Sequence, residues 1–195
     1  MVREHMVLVI LWAGFSIVHS VLAAGWIKKR IEVWIRSGYK FYRISYSFLA
    51  VLTLGFVLWY HFSIKSMMLW NVPLAAKIIA MAGMVSGVCV MLLFTRRFFF
   101  DLSGADVFRK KQTSQQLITT DLYKYVRHPL YAATLVFVWS IFFWQPLLSN
   151  LISCACISLY TIIGIRFEEK KLMQEFGESY SQYCSQTSML IPGLF

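Results

Sequence analysis

An arginine, a histidine and a proline in succession form the first group of side chains in this sequence that could do chemistry: Arg127, His128 and Pro129. Proline disfavours helix in the preceding residue and suits the first helical position, so we expect His128 to be the N-cap of a helix that begins at Pro129. Backbone N–H groups and the helix dipole attract a carboxylate or a phosphate to such a terminus. The alternative is that Arg127 only sets the orientation of the chain and that His128 is a plain cap.

Two adjacent acids, Glu168 and Glu169, form the second group. We expect them on an amphipathic helix that continues to Tyr180. Glu169 then shares a face with apolar side chains, and an acid is costly to bury there unless it has a partner. The alternative is that both acids pair with nearby basic residues on a solvated face. Those basic residues are Arg166, Lys170 and Lys171.

Together, the two groups predict one pocket for a ligand that carries both charges. The helix terminus would hold a carboxylate, and the pair of acids would hold an ammonium group. The methionine part of S-adenosylmethionine is such a ligand. Tyrosines in the same stretches are available to pack on its adenine, namely Tyr123, Tyr125, Tyr131, Tyr180 and Tyr183.

The elements that position these groups are apolar spans. The chain has 195 residues, of which 58% are hydrophobic and only 14% are charged. A soluble domain is about 45–50% apolar and about 25% charged. Stretches of the length that crosses a bilayer recur along the chain, and they cover residues 6–27, 46–62, 72–94, 129–144 and 147–165. The composition therefore predicts a single all-α, polytopic membrane domain with about five transmembrane helices, the last two joined as a tight hairpin at Gln145-Pro146.

The net charge of +10 is distributed in a way that predicts orientation rather than nucleic-acid binding. Of the 19 lysines and arginines, 16 fall in residues 28–43, 95–128 and 166–171. Five spans place all three segments on one side of the membrane. The positive-inside rule then predicts an outer N-terminus and a cytoplasmic C-terminus. The four cysteines do not suggest a disulfide framework or a metal site.

The C-terminal half, residues 117–192, resembles a family of integral-membrane methyltransferases. The resemblance rests on Leu122-Tyr123, Arg127-His128-Pro129-Leu130-Tyr131, the hairpin, Glu168-Glu169, Phe176-Gly177 and Leu190-Ile191-Pro192. These motifs are similar to those of isoprenylcysteine carboxyl methyltransferase and phospholipid N-methyltransferase. Shorter motifs resemble the methanethiol S-methyltransferase branch, namely His19-Ser20, Asp101-Leu102-Ser103-Gly104 and the stretch from Tyr160 to Glu169.

The resemblance implies a methyltransferase that binds S-adenosylmethionine in residues 101–195, while residues 1–100 supply three N-terminal spans. It implies that Glu169 holds the ammonium group and that His128 lies near the carboxylate. The cofactor-binding residues that it implies are Leu117, Ile118, Tyr123, Arg127, His128, Pro129, Tyr131, Glu168 and Glu169. We expect a small or lipophilic acceptor, most simply a thiol, and a bacterial inner membrane as the location.

A thiol acceptor needs a group that lowers its pKa, and an arginine or a histidine does this. Arg127 and His128 are the catalytic candidates, and His19 and Arg43 are candidates for contact with the substrate. Alternative acceptors are a prenylcysteine carboxylate and a phospholipid amine. Two other classes stay open: a sterol-reductase-like enzyme that uses NADPH, and a membrane accessory protein without catalysis.

Overall fold

The computed structural model describes residues 2–103 and 117–194, and helices dominate both ranges. No strand occurs in these ranges, although two isolated bridges do. Four of the helices are long and apolar enough to cross a membrane: α1, α3, α4 and α6. The expected all-α polytopic membrane fold is therefore confirmed. The helices, in chain order, are α1 Val2–Ala23, α2 Gly25–Ile35, α3 Tyr42–Ser63, α4 Leu74–Ser103, α5 Pro129–Trp144, α6 Leu148–Phe176 and α7 Glu178–Gln186.

The chain turns between α1 and α2, inside the span expected over residues 6–27. Ala24 is extended, with φ −65° and ψ 138°, so one helix ends before it and another begins after it. The second helix carries Lys28, Lys29 and Arg30, and charged side chains are costly in the hydrocarbon core. The end of this predicted span was wrong, because the apolar run continues past the residue at which the helix stops.

α5 and α6 form the tight hairpin that was expected at Gln145-Pro146. α5 has 16 residues and is therefore about 24 Å long, shorter than a hydrocarbon core of about 30 Å. Backbone hydrogen bonds connect the loop between α3 and α4 to the hairpin turn. The Leu69 N–H donates to the Pro146 carbonyl at 2.8 Å, and the Leu148 N–H donates to the Met67 carbonyl at 3.0 Å. This loop and the hairpin turn thus lie at the same end of the molecule.

α5 packs chiefly against α4, and glycines permit the close approach. A Cβ at Gly87 would lie only 2.9 Å from the Cβ of Phe137 and 3.0 Å from the Ala133 carbonyl oxygen. A Cβ at Gly83 would collide with Ser140 in the same way. Small residues at helix contacts in membranes allow the backbones to pack closely.

α1 packs against α3 and α6 around an apolar core and a polar cluster. Leu8, Trp12 and Val57 form the apolar core. Next to it, Ser153 Oγ accepts a hydrogen bond from the Trp12 indole at 2.9 Å and lies 2.9 Å from Nδ1 of His61. The other ring nitrogen of His61 lies 3.0 Å from Oδ1 of Asn150. Because buried polar groups are costly unless they are paired, this cluster specifies how the three helices meet.

α6 continues beyond its apolar part to Phe176 and then ends at Gly177. This glycine has φ +52°, a conformation that residues with a Cβ rarely adopt. Its N–H donates to the Met173 carbonyl at 3.0 Å, and α7 starts at the next residue. The expectation of one helix through Tyr180 is therefore wrong after Phe176. The turn at Gly177 directs α7 back toward the start of α5.

Gly104 of the Asp101-Leu102-Ser103-Gly104 motif, and the basic residues Arg109, Lys110 and Lys111, lie outside the residues that the structure describes.

Candidate functional site

The segment before α5 places Arg127 and His128 at the start of that helix. His128 is the N-cap, with φ −126° and ψ 64°, and Pro129 occupies the first turn, as expected. The backbone of this segment pairs with the chain after α7. The Arg127 N–H donates to the Ser188 carbonyl at 2.8 Å, and the His128 N–H donates to the Met189 carbonyl at 3.2 Å. Two distant stretches of chain therefore fix the start of α5.

The Arg127 guanidinium is bound inside the protein. Its Nε donates to Oε1 of Glu169 at 2.8 Å, and its Nη1 donates to the backbone carbonyls of Cys184, at 3.2 Å, and of Thr187. Burial alone would lower the pKa of Arg127, but the hydrogen bond to Glu169 and the charge of that residue raise it. Arg127 thus carries a permanent charge that joins α5, α6 and α7.

His128 lies between the two acids. Its ring is almost fully buried, with Nε2 at 3.3 Å from Oε1 of Glu169 and Nδ1 at 3.9 Å from Oε2 of Glu168. The two carboxylates differ in exposure, since the Glu169 side chain is 18% exposed and that of Glu168 is 44% exposed. Glu169 is paired inside the protein, whereas Glu168 is open to solvent. The pairing of Glu169 with Arg127 differs from the alternative in which it pairs with basic neighbours on α6.

Other residues of the expected pocket lie around this cluster. The Tyr131 ring centroid is 5.7 Å from that of His128, and its hydroxyl lies near Glu168. The carbonyl of Tyr123 accepts a hydrogen bond from the Tyr183 hydroxyl at 2.6 Å, and burial raises the pKa of Tyr183 to about 12. Leu117 is partly buried and Ile118 is exposed, and both begin the described segment that leads to α5.

Tyr180 is buried beside this cluster rather than open to a ligand. The residue is 1% exposed, and its hydroxyl makes no hydrogen bond to the described residues. Burial comes first among the causes that raise the pKa of Tyr180, followed by the charge of Glu169. An unpaired buried hydroxyl next to a carboxylate marks a place where a further polar partner would be stabilising.

Sequence reasoning missed the part played by the chain after α7. Thr187, Ser188 and Met189 contribute backbone carbonyls to Arg127 and His128. A carbonyl is present in every residue, so the type of side chain gives no signal for this role.

The two remaining candidates, His19 and Arg43, lie outside the cluster around Glu169. The Tyr46 hydroxyl lies 2.7 Å from Nε2 of His19 and joins α1 to α3. Arg43 is exposed in the first turn of α3, near Lys28. The described residues contain no group of three or more His, Cys, Asp or Glu that could hold a metal ion.

The family model described as NnrU protein matches residues 7–193. No solved structure matches the chain. Methanethiol S-methyltransferase 1 of Bradyrhizobium diazoefficiens is 30% identical over 94% of this chain and 65% of its own length. Methanethiol S-methyltransferase of Crocosphaera subtropica is 30% identical over 91% of this chain and 71% of its own length.

A further relative is the protein-S-isoprenylcysteine O-methyltransferase of Dictyostelium discoideum, which is 31% identical over 70% of this chain and 55% of its own length. The chain thus spans about two thirds of the length of its first two relatives. These names confirm the resemblance to integral-membrane methyltransferases. Because the family model covers nearly all of its residues, the chain belongs to the NnrU protein family.

Proposed function

We propose that this protein is a membrane methyltransferase that uses S-adenosylmethionine and methylates a small or lipophilic thiol. The names of its relatives support methyl transfer, and two of them name a thiol as the acceptor. The observation that carries the proposal is the pair of acids on either side of His128, one half-buried and one open, at the start of α5.

The acids fit the ammonium group of the donor. Oε1 of Glu169 accepts from both Arg127 and His128, and Oε2 makes no hydrogen bond to the described residues. Glu168 is 44% exposed, and its carboxylate lies no closer than 3.9 Å to His128. Both acids therefore have acceptor positions to offer. An ammonium group is a donor only and suits such a set.

The start of α5 fits the carboxylate of the donor. The side chain of His128 makes no capping hydrogen bond, and the first N–H groups of any helix lack partners within the helix. The N–H groups of Leu130 and Tyr131 are therefore the anion-binding groups of the proposal. Pro129 sets the direction of these groups, and Tyr131 packs beside the ligand. The backbone of Leu117, Ile118 and Tyr123 would border the adenine.

Bound in this way, the donor supplies an electrophilic methyl group on a sulfonium. The contribution of the chain is alignment, an effect that can supply about 7–11 kcal/mol. His128 orients Glu169 and borders the ligand. Arg127 acts through Glu169 and α7, because its own donors are already bound to them, and we therefore propose it as a positioning residue.

Calorimetric titration of the purified protein with S-adenosylmethionine tests the site. We expect Glu168→Gln and His128→Ala to weaken donor binding at least tenfold. Glu175→Gln is the matched control, since it removes a charge from an exposed position on the same helix and should leave the affinity unchanged. Unchanged affinity in both site variants would contradict the assignment.

A methyl-transfer assay with a panel of acceptors tests the reaction. The panel contains a short alkanethiol, a prenylated cysteine and a phospholipid amine, each with donor labelled in the methyl group. We expect label in the thiol product. Label only in the prenylcysteine ester would move the proposal to the reaction named for the Dictyostelium relative.

The proposal includes the organisation and orientation of the chain. Residues 1–195 form one membrane domain, in which the half from residue 101 onward binds the donor. The basic segments face the cytoplasm, and the membrane is a bacterial inner membrane. Reporter fusions after residue 63 and after residue 195, active on opposite sides of the membrane, test this orientation.

A further inference from the structure

His19 and Tyr46 form a polar pair within the apolar part of the helical bundle. The Tyr46 hydroxyl lies 2.7 Å from Nε2 and 3.1 Å from Nδ1 of His19. The ring of Phe15 stacks on His19 with centroids 5.7 Å apart, and the ring of Tyr160 meets its edge at 6.1 Å. Residues of α1, α3 and α6 therefore converge on one imidazole.

The hydrogen bonding of His19, which is half-buried, differs from that of His61, a buried histidine of the same bundle. His61 has a separate partner for each ring nitrogen, Ser153 and Asn150. Both nitrogens of His19 have the same neighbour, the hydroxyl of Tyr46, which has a single proton to donate. Within the described residues, the second ring nitrogen of His19 thus has no hydrogen-bond partner of its own. A histidine that exchanges a proton with a ligand needs such a nitrogen.

A second tyrosine also ties α1 to α3 close to this pair. The Tyr42 hydroxyl donates to the Leu22 carbonyl at 2.7 Å, one turn from the pair. The rings of Tyr42 and Tyr46 are themselves stacked, with centroids 6.5 Å apart. The contact between α1 and α3 therefore has a hydrogen bond that does not involve His19.

Tyrosines connect the pair to the site of the acids. Tyr160 lies on α6, eight residues before Glu168, which is about 12 Å along the helix axis. Tyr131, in the first turn of α5, lies within electrostatic range of Tyr160, Tyr46 and Glu168. Polar side chains of four helices thus lie between Glu168 and His19.

We propose that His19 is the base that accepts the proton of the acceptor thiol, which binds against Tyr46 and Tyr160. The S–H bond breaks, its electron pair stays on sulfur, and the proton forms an N–H bond on the imidazole. An apolar site raises the pKa of a thiol, so a thiolate forms there only with a base beside it. The groups that face His19 are Tyr46 on α3 and Tyr160 on α6. This inference rests on the proposed function and names the acceptor end of that site.

Thiols of different acidity test the role of the base. His19→Gln keeps an acceptor for the Tyr46 hydroxyl but removes the basic nitrogen. We expect methyl transfer to an alkanethiol to fall roughly a hundredfold, while transfer to an arenethiol, already ionised at neutral pH, stays within about threefold of the wild type. An equal loss with both thiols would show a merely structural role and overturn the proposal.

Tyr60→Phe is the matched control, because Tyr60 also joins α3 to α1, through a 3.2 Å hydrogen bond to the Glu4 carbonyl. It should leave transfer to both thiols unchanged. Donor binding by calorimetry should be the same in His19→Gln as in the wild type.

A titration without donor separates this inference from the proposed function. Alkanethiol is added to the donor-free protein, and the ¹⁵N signals of the histidine rings are recorded. We expect the thiol S–H to bind the second nitrogen of His19 and shift its ¹⁵N signals, whereas an alkane of the same length leaves them unchanged. Unshifted His19 signals in the wild type would overturn the inference, whereas failure of the donor to bind would overturn the proposed function alone.

Discussion

Arg127 and Glu169 form an ion pair in which Nε and Oε1 are 2.8 Å apart, although 42 residues separate them along the chain. The first lies just before α5 and the second lies in the polar extension of α6. Their side chains are only 12% and 18% exposed. The same arginine reaches the carbonyls of Cys184 and Thr187, so one guanidinium joins three helices.

Removal of the charge at residue 169 should destabilise the protein. Glu169→Gln leaves the Arg127 charge without its partner, and breaking a fully buried pair costs about 3–5 kcal/mol. Because both side chains are partly exposed and glutamine keeps a hydrogen bond, we expect about 1–3 kcal/mol. Thermal unfolding in detergent measures the loss. Glu168→Gln, at the more exposed position, should unfold within about 0.5 kcal/mol of the wild type, and an equal loss in both would contradict the structure.

Gly177 should be intolerant of a side chain although there is space for one. A Cβ there meets nothing within 4 Å, but φ is +52°, and the left-handed conformation costs a residue with a Cβ about 1–2 kcal/mol. Gly177→Ala should therefore lower the unfolding temperature. Gly164→Ala is the control, since a Cβ there also meets nothing and alanine within a helix gains about 0.5–1 kcal/mol over glycine. Stabilisation by both variants would show that the turn after α6 is not rigid.

The contact between α4 and α5 should depend on Gly87. Leucine at this position would meet Phe137 and the Ala133 carbonyl, and such overpacking costs about 1–3 kcal/mol or forces the helices apart. We expect Gly87→Leu to reduce the yield of folded protein in size-exclusion chromatography. Gly14→Leu, at an open position on α1, should give the wild-type yield. A normal yield of Gly87→Leu would mean that α4 and α5 lie further apart.

The polar cluster of α1, α3 and α6 should depend on one hydroxyl. Ser153→Ala leaves both the Trp12 indole and one nitrogen of His61 without a partner, at about 1–3 kcal/mol for each buried group. Ser158→Ala removes a single partner, that of the Trp139 indole. Thermal unfolding should therefore show a clearly larger loss for Ser153→Ala than for Ser158→Ala. The reverse order would place the cluster outside the core.

The helices of the membrane part follow directly from the sequence. A run of apolar residues in water-free surroundings must satisfy its own backbone hydrogen bonds, so it forms a helix whatever its neighbours are. Pro129 also fixes the start of α5 locally, because its ring sets its own φ and removes an N–H that a first turn does not need. Both kinds of prediction depend on residues close in sequence.

The contacts of the candidate site depend instead on how the chain after α6 turns back toward the start of α5. The single helix expected through Tyr180 missed the positive φ of Gly177, since a glycine within a helical pattern is also compatible with an unbroken helix. Because the chain turns back at Gly177, carbonyls of residues 184–189 accept hydrogen bonds from Arg127 and from the backbone that follows it. These carbonyls, rather than a ligand, bind the arginine. The pairing of Arg127 could not be derived from the spacing of charges.

The attachment of residues 187–189 to the start of α5 bears on the order of events during synthesis. The spans emerge from the ribosome from the N-terminal end, and α5 can enter the membrane before α7 exists. At that stage the Arg127 side chain and the N-cap of α5 lack their hydrogen-bond partners. These partners are backbone carbonyls that lie about 60 residues later in the chain. The site therefore matures after membrane insertion, and a chain that stalls before residue 187 has its helices in place without a finished site.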